Sequence, residues 1–314
     1  MKWDKLGLVY GSANPGLDWA VSHSYIPTPI IVDDDTIRVL VSFWDANQIG
    51  RLGYVDVEAS NPTKIKDISK TPILDVGPKG TFDSRGITPM SYIKEKNQIY
   101  LFYTGWGEHE TYPYTLFTGM AVSDDCGKTF TKMFHYPILP PYTEQDSIRT
   151  AAWVSYDQSL DEYWMWYVGG KDWFYADNKL TPTYDLYLIR SESLFDWRHK
   201  LPTLCMKADV KNGEYAIGRP CVRYEKGRYK LYYSSRRYNH GYQLGYAESL
   251  DGYIWNRKDE QLGISKSQIG WDSEMQCFSY VLKTKHGTYM FYNGNEHGKY
   301  GFGVARLDEN NNSR

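Results

Sequence analysis

The stretch EYAIGRPCVRYEKGRYKLYYSSRRYNHGYQLGYAESLDGYIW, residues 214–255, carries the plan on which the chain is built. It holds three apolar runs, 221–224, 229–234 and 244–248, then the turn Ser249-Leu-Asp-Gly252 and the aromatic Trp255. Each run is short, rich in aromatic and β-branched residues, and bounded by Gly, Asn or Asp, which marks strands rather than helices. The unit is an antiparallel meander.

The second strand of that unit recurs as IRVLVSF (37–43), IYLFYTG (99–105), YWMWYVG (163–169), YKLYYSS (229–235) and YMFYNGN (289–295). Aligning Val41, Tyr103, Tyr167, Tyr233 and Tyr292 gives steps of 62, 64, 66 and 59 residues, so five copies of one unit fill the chain. The third strand and its turn repeat in MAVSDDCGKTF (120–130), YAESLDGYIW (246–255) and, more loosely, LIRSESLFDW (188–197). In Ser123-x-Asp125-x-Gly127-x-Thr129-Phe130 the Ser and Asp side chains are suited to satisfying turn amides while the aromatic closes the sheet edge, a structural task.

No segment shows a sustained helical stripe. Five meanders arranged radially predict an all-β, five-bladed β-propeller forming a single domain over residues 1–314. The last copy has strands near 277–282, 289–292 and 302–306 and no room for a fourth. The segment LGLVY (6–10) is therefore predicted to complete the last blade from the N-terminus and remove an open sheet edge.

Lys plus Arg number 36 against 38 Asp plus Glu, a net charge of −2, which argues against nucleic acid or an anionic membrane as partner. Aromatics make up 16% of the residues, including 29 Tyr and 11 Trp, and serve strand packing and sugar stacking alike. The four cysteines, 126, 205, 221 and 277, lack zinc or redox spacing and read as free thiols. No apolar run has signal-peptide or membrane-spanning length, so the expectation is a soluble, cytoplasmic protein with no metal ligand set and no cofactor, a single channel cation aside.

In a propeller the loops that lead into each first strand share one mouth. Counting back from the aligned residues, Asp83, Asp146, Glu214 and Asp272 stand 20, 21, 19 and 20 positions earlier. The first copy offers His23, with Asp18 five residues before it. Arg85, Arg149 and Glu274 lie 18 positions before their aligned residues, with Arg219 slightly later in its copy. Converging carboxylates require shared protons or compensating cations, and both conditions fit an active site.

The fivefold repeat, the SxDGxxW turn and the acids leading each unit resemble the five-bladed propeller glycosidases, glycoside hydrolase families 32, 43, 68, 117 and 130. The segment GWDSEMQCFSYVLKTKHGTYMFYNGNEHGKYGFGVA (270–305) is similar to the last blade of family 32-like proteins. The resemblance implies cleavage of a glycosidic bond by paired carboxylates, with Asp18, Asp146 and Glu214 as candidates by chain order. The family's first-blade Asp-Pro corresponds here to Thr28-Pro29, and its Glu-Gly-Pro to Gly218-Arg219-Pro220, so these roles do not transfer residue by residue.

The reading assigns Glu214 as general acid, Asp18 or Asp83 as base and Asp146 as tuning acid, with Glu274 a substitute. Asp272 and His23 border the same mouth. Arg85, Arg149 and Arg219 are suited to a carboxylate or phosphate, hence an acidic sugar or phosphorolysis, while Trp153 and Trp271 are candidate stacking platforms. The alternatives are a phosphorylase or glycosyltransferase on the same ring and a non-catalytic carbohydrate-binding propeller.

Overall fold

The short aromatic and β-branched runs form strands throughout the computed structural model, which describes residues 1–11, 16–176, 178–238 and 240–309. The N-terminal strand β1 is Trp3–Tyr10, and four complete antiparallel meanders follow. The first is β2 (Ser22–Ile31), β3 (Thr36–Trp44), β4 (Gly50–Glu58) and β5 (Ile65–Ile68). The second is β6 (Gly86–Glu95), β7 (Gln98–Gly107), β8 (Thr115–Ser123) and β9 (Thr131–Lys132). In the third, β10 (Ile148–Asp157) and β11 (Glu162–Gly170) precede an inserted hairpin, β12 (Trp173–Ala176) with β13 (Lys179–Pro182), before β14 (Asp185–Ser191) and β15 (Thr203–Met206).

The fourth meander is β16 (Glu214–Glu225), β17 (Arg228–Arg237), β18 (Gly241–Ser249) and β19 (Asn256–Arg257). The last three strands are β20 (Cys277–Thr284), β21 (Gly287–Asn293) and β22 (Phe302–Leu307), and β1 pairs antiparallel with β22 from Trp3↔Leu307 to Tyr10↔Phe302. The N-terminal strand thus occupies the fourth place of the last meander, three residues longer at its start than the sequence pattern indicates. First strands pack in cyclic order: β2 on β6, β6 on β10, β10 on β16, β16 on β20 and β20 on β2. No helix among the described residues is long and apolar enough to cross a membrane.

The repeated second-strand tyrosine has a packing reason. Tyr103, Tyr233 and Tyr292 pair across the ladder with Gly119, Gly245 and Gly303. A Cβ added at Gly245 would stand 2.3 Å from Cζ of Tyr233, and one at Gly119 2.2 Å from Cζ of Tyr103. The Tyr233 ring cannot swing aside, because its hydroxyl donates to Asp259 at 2.6 Å and the ring is fully buried. Gly245→Ala is therefore expected to destabilise the protein by about 1–3 kcal/mol through overpacking. Chemical denaturation measures it, and a midpoint equal to the unsubstituted protein's would refute the packing argument.

The acidic turns are structural, as their composition predicts. The Ser123 hydroxyl accepts from Gly127 N–H at 2.8 Å, Asp125 accepts from Thr129 N–H at 3.0 Å, and Phe130 is buried behind them. Ser249, Asp251 and buried Trp255 repeat the arrangement in the fourth meander.

Candidate functional site

Each first strand breaks its ladder register, once in β6, β10 and β20 and twice in β2 and β16. One break in each strand faces the centre of the molecule. Ile26, Ala151, Arg219 and Phe278 occupy these breaks with left-handed φ values of 56°, 54°, 49° and 57°, and in β6 the break falls at Met90. Such bulges re-aim side chains, and holding non-glycine residues at positive φ stores strain that the surrounding structure must offset. All five residues line one cavity of about 1270 Å³ at the centre of the strand ring.

Two asparagines tie its wall together. Buried Asn293 accepts from Ile26 N–H at 2.7 Å and donates to the carbonyls of Ser24 and Gly301, joining the last meander to the first. Asn295 accepts from the N–H groups of Glu274 and Met275 at 2.8 and 3.0 Å and donates to Gly270 O. It thereby anchors the loop bearing Glu274 beside the turn at 295–298, in which Glu296 and His297 are also left-handed.

The lining is aromatic and cationic. Tyr25, Trp44, Trp106, Tyr114, Tyr184 and Tyr242 form much of the wall, while Lys179, Arg219, Arg236, Lys266 and Lys299 face only two carboxylates, Glu274 and Glu296, among the described lining residues. Burial and the nearby Lys299 lower His23 to about 4; burial, Arg236 and His23 do the same to His297. Both imidazoles are neutral at pH 7. His23 stacks on Trp44 with ring centres 3.9 Å apart. Hydrogen bonds from Lys299 and Tyr300 hold Glu296 below the ordinary carboxylate range.

Of the residues singled out from the sequence, His23, Arg219 and Glu274 line this cavity. The acids spaced about 20 residues before the aligned tyrosines do not, for a physical reason. Asp83 accepts from Tyr103 Oη at 3.0 Å and pairs with Lys132 of β9 at 2.6 Å. Asp272 repeats this with Tyr292 at 3.0 Å and Lys5 of β1 at 2.6 Å. Glu214 is fully buried and takes a two-pronged bond from Arg257 of β19, at 2.7 Å on each oxygen, with Arg237 at 3.0 Å.

The common spacing thus reflects a staple joining an acid at or ahead of the first strand, in two cases the second-strand tyrosine, and a cation on the fourth strand. Burial alone would raise Glu214, but the bonds from Arg257, Asp209 N–H and Arg237 outweigh it and hold the carboxyl at about 2. Glu214 is ionised at neutral pH, the opposite of the proton donor expected.

Asp146 caps a turn by accepting from the N–H groups of Tyr142 and Thr143, both at 2.9 Å, and Asp18 sits exposed outside the cavity. Arg149 is buried against Pro140 O and Tyr167 Oη. Trp153 packs on Tyr280 in the core, and Trp271 packs on Tyr292 over Gly303 rather than facing ligand space. Arg85 lines an adjoining chamber of about 920 Å³, near Glu108, that shares Trp44, Gln48, Thr88, Trp106 and Tyr114 with the main cavity.

Among the described residues, no three His, Cys, Asp or Glu side chains gather as a metal site. Arg236 and the 293–297 segment carry no sequence signal beyond lying in loops and strand ends that contain Asn and His. Their relevance comes from convergence.

No family model matches the chain. An uncharacterized protein of Mycobacterium tuberculosis is 28% identical over 309 residues, covering 98% of this chain and 100% of that relative. A solved glycoside hydrolase superposes with a TM-score of 0.71 at 16% identity, over 96% of this chain and 92% of the other. A thermostable family-43 glycoside hydrolase does so at 0.67 and 16%, over 95% and 92%. The family-32 β-fructofuranosidase of Bombyx mori gives 0.63 at 17%, over 95% of this chain and 61% of its own. The chain has the fold of the family-32 and family-43 glycoside hydrolases. The five bulge residues that line the cavity carry four apolar side chains and one arginine, with no carboxylate.

Proposed function

We propose that the protein is a single-domain, five-bladed β-propeller that binds a glycoside bearing an acidic group in its central cavity and cleaves the glycosidic bond. The observation carrying this reading is a cavity at the centre of a glycoside-hydrolase-type fold, walled by aromatic rings and carrying five cations against two carboxylates. Indole and phenol faces stack on sugar rings, and unneutralised cations select an anion. Glycosidic cleavage needs two carboxyl groups flanking the bond. Glu274 and Glu296, the two carboxylates among the described lining residues, are assigned as that pair, with Asn295 tying the loop of Glu274 beside the turn that bears Glu296. Glu296, ionised through its bonds to Lys299 and Tyr300, is suited to the base or nucleophile, and Glu274 to the proton donor.

Turnover of aryl glycosides and acidic oligosaccharides, with and without phosphate, tests this directly. Glu274→Gln and Glu296→Gln are each expected to lower kcat by about 10²–10⁴-fold while ligand binding persists. Turnover that survives both substitutions would remove the pair from the mechanism, and strict dependence on phosphate would make the enzyme a phosphorylase. The second reading is a carbohydrate-binding propeller without turnover, favoured by the absence of a carboxylate from the hub ring. Binding by the unsubstituted protein with no product would establish it.

A further inference from the structure

Arg236, near the end of β17, is half-buried in the cavity wall. Its guanidinium carbon lies 5.3 Å from the ring centre of Tyr215 and 5.4 Å from that of Tyr242. Tyr184 shares a hydrogen bond with Tyr242, and Tyr114 lines the same wall. His297, set edge-on to Tyr242, is neutral at pH 7 and adds no charge beside it. Among the described residues no carboxylate stands within ion-pair distance of Arg236, whereas the neighbouring Arg237 is bound to Glu214.

Arg219, in the cavity lining, is 2% exposed and among the described residues is bonded only to uncharged acceptors, the carbonyls of Pro27 and Pro89 and the Thr28 hydroxyl. Its Nε is buried without a partner. Burial lowers this guanidinium only to about 10, so it stays charged. Arg219 pins the ring and adds a fixed positive field, while Arg236 presents a planar fork whose donors have no hydrogen-bond partner among the described residues. Desolvated charge of this kind is costly unless paired, and a guanidinium fork matches an oxyanion.

We propose that Arg236, walled by Tyr114, Tyr184, Tyr215 and Tyr242, is the receiving group for the oxyanion of the ligand, a carboxylate or phosphate carried on the sugar. This rests on the carbohydrate reading above and assigns the group that selects the acidic substituent. Arg236 is a specificity residue and takes no part in bond cleavage.

Calorimetric titration with glucuronate, glucose 1-phosphate, glucose and inorganic phosphate tests it on the unsubstituted protein and on Arg236→Gln and Arg236→Lys. At least one acidic sugar is expected to bind at least about tenfold more tightly than glucose, and Arg236→Gln is expected to abolish that preference with little change for glucose. Arg236→Lys, which keeps the charge but loses the fork, is expected to retain part of it and covers the case in which the glutamine variant does not fold. Preference for glucuronate or for glucose 1-phosphate identifies the oxyanion. Acidic probes that bind no better than glucose, or a preference that survives Arg236→Gln, would overturn the proposal. Inorganic phosphate binding through Arg236 with no sugar bound would keep the oxyanion site and sink the carbohydrate reading.

Discussion

Replacing Arg257 by alanine is expected to cost about 3–5 kcal/mol, a large share of the stability of an ordinary domain. Glu214 is fully buried, and Arg257 gives it two bonds of 2.7 Å while also bonding Asp259 at 2.9 Å. Without Arg257 that carboxylate keeps, among the described residues, only Arg237 and one backbone N–H as donors. Glu214→Gln is expected to cost less, because the remaining Arg257 is partly exposed and keeps Asp259.

The pH dependence distinguishes the two variants. Glu214 sits at about 2 in the folded protein against an ordinary 4.5, so its contribution is fully present above about pH 4.5 and is lost as pH falls toward 2. Glu214→Gln should flatten stability over that window, measured as denaturation midpoints from pH 5 downward. An Arg257→Ala protein as stable as its parent, or an acid limb unchanged by Glu214→Gln, would refute the staple.

Deleting residues 1–10 is expected to abolish cooperative folding rather than fray one end, a loss of more than about 5 kcal/mol. The deletion removes buried Trp3 and Val9, bares the β22 edge, and takes Lys5 from buried Asp272. It also removes the link to the segment that follows the fourth meander, made by Trp3 N–H on Gly263 O at 3.0 Å. Circular dichroism melts of the truncated chain check this. A cooperative transition within a few degrees of the parent's, with hydrogen exchange quickened only in β22, would show that the strand is dispensable.

The strands were legible because their signal is local. Aromatic and β-branched runs such as YKLYYSS, punctuated by Gly, Asn and Asp, specify strands wherever they occur, and the missing fourth strand after Phe302–Leu307 pointed to the N-terminus. The spacing of Asp83, Glu214 and Asp272 was also genuine, but a fixed distance along the chain serves a buried staple as well as an active-site ring. Only the positions of Lys132, Arg257 and Lys5 distinguish the two.

The cavity left a weaker trace: the spacing picked out His23, Arg219 and Glu274, which line it, but none of the other bulge residues and not Arg236 or Glu296. Ile26, Ala151, Arg219 and Phe278 reach the cavity because four of the five first strands bulge through a left-handed residue, and none of the four is glycine, so no residue type announces the break. Arg236, Glu274 and Glu296 face one space only after β17, the loop before β20 and the turn after β21 close around it. The amino-acid sequence by itself determined the strands, their repeat and their edge turns, because those depend on neighbours within a few residues. Tertiary structure alone decided which charges are neutralised and which stand open in the cavity, because that depends on partners tens to hundreds of residues away and on the water that packing excludes.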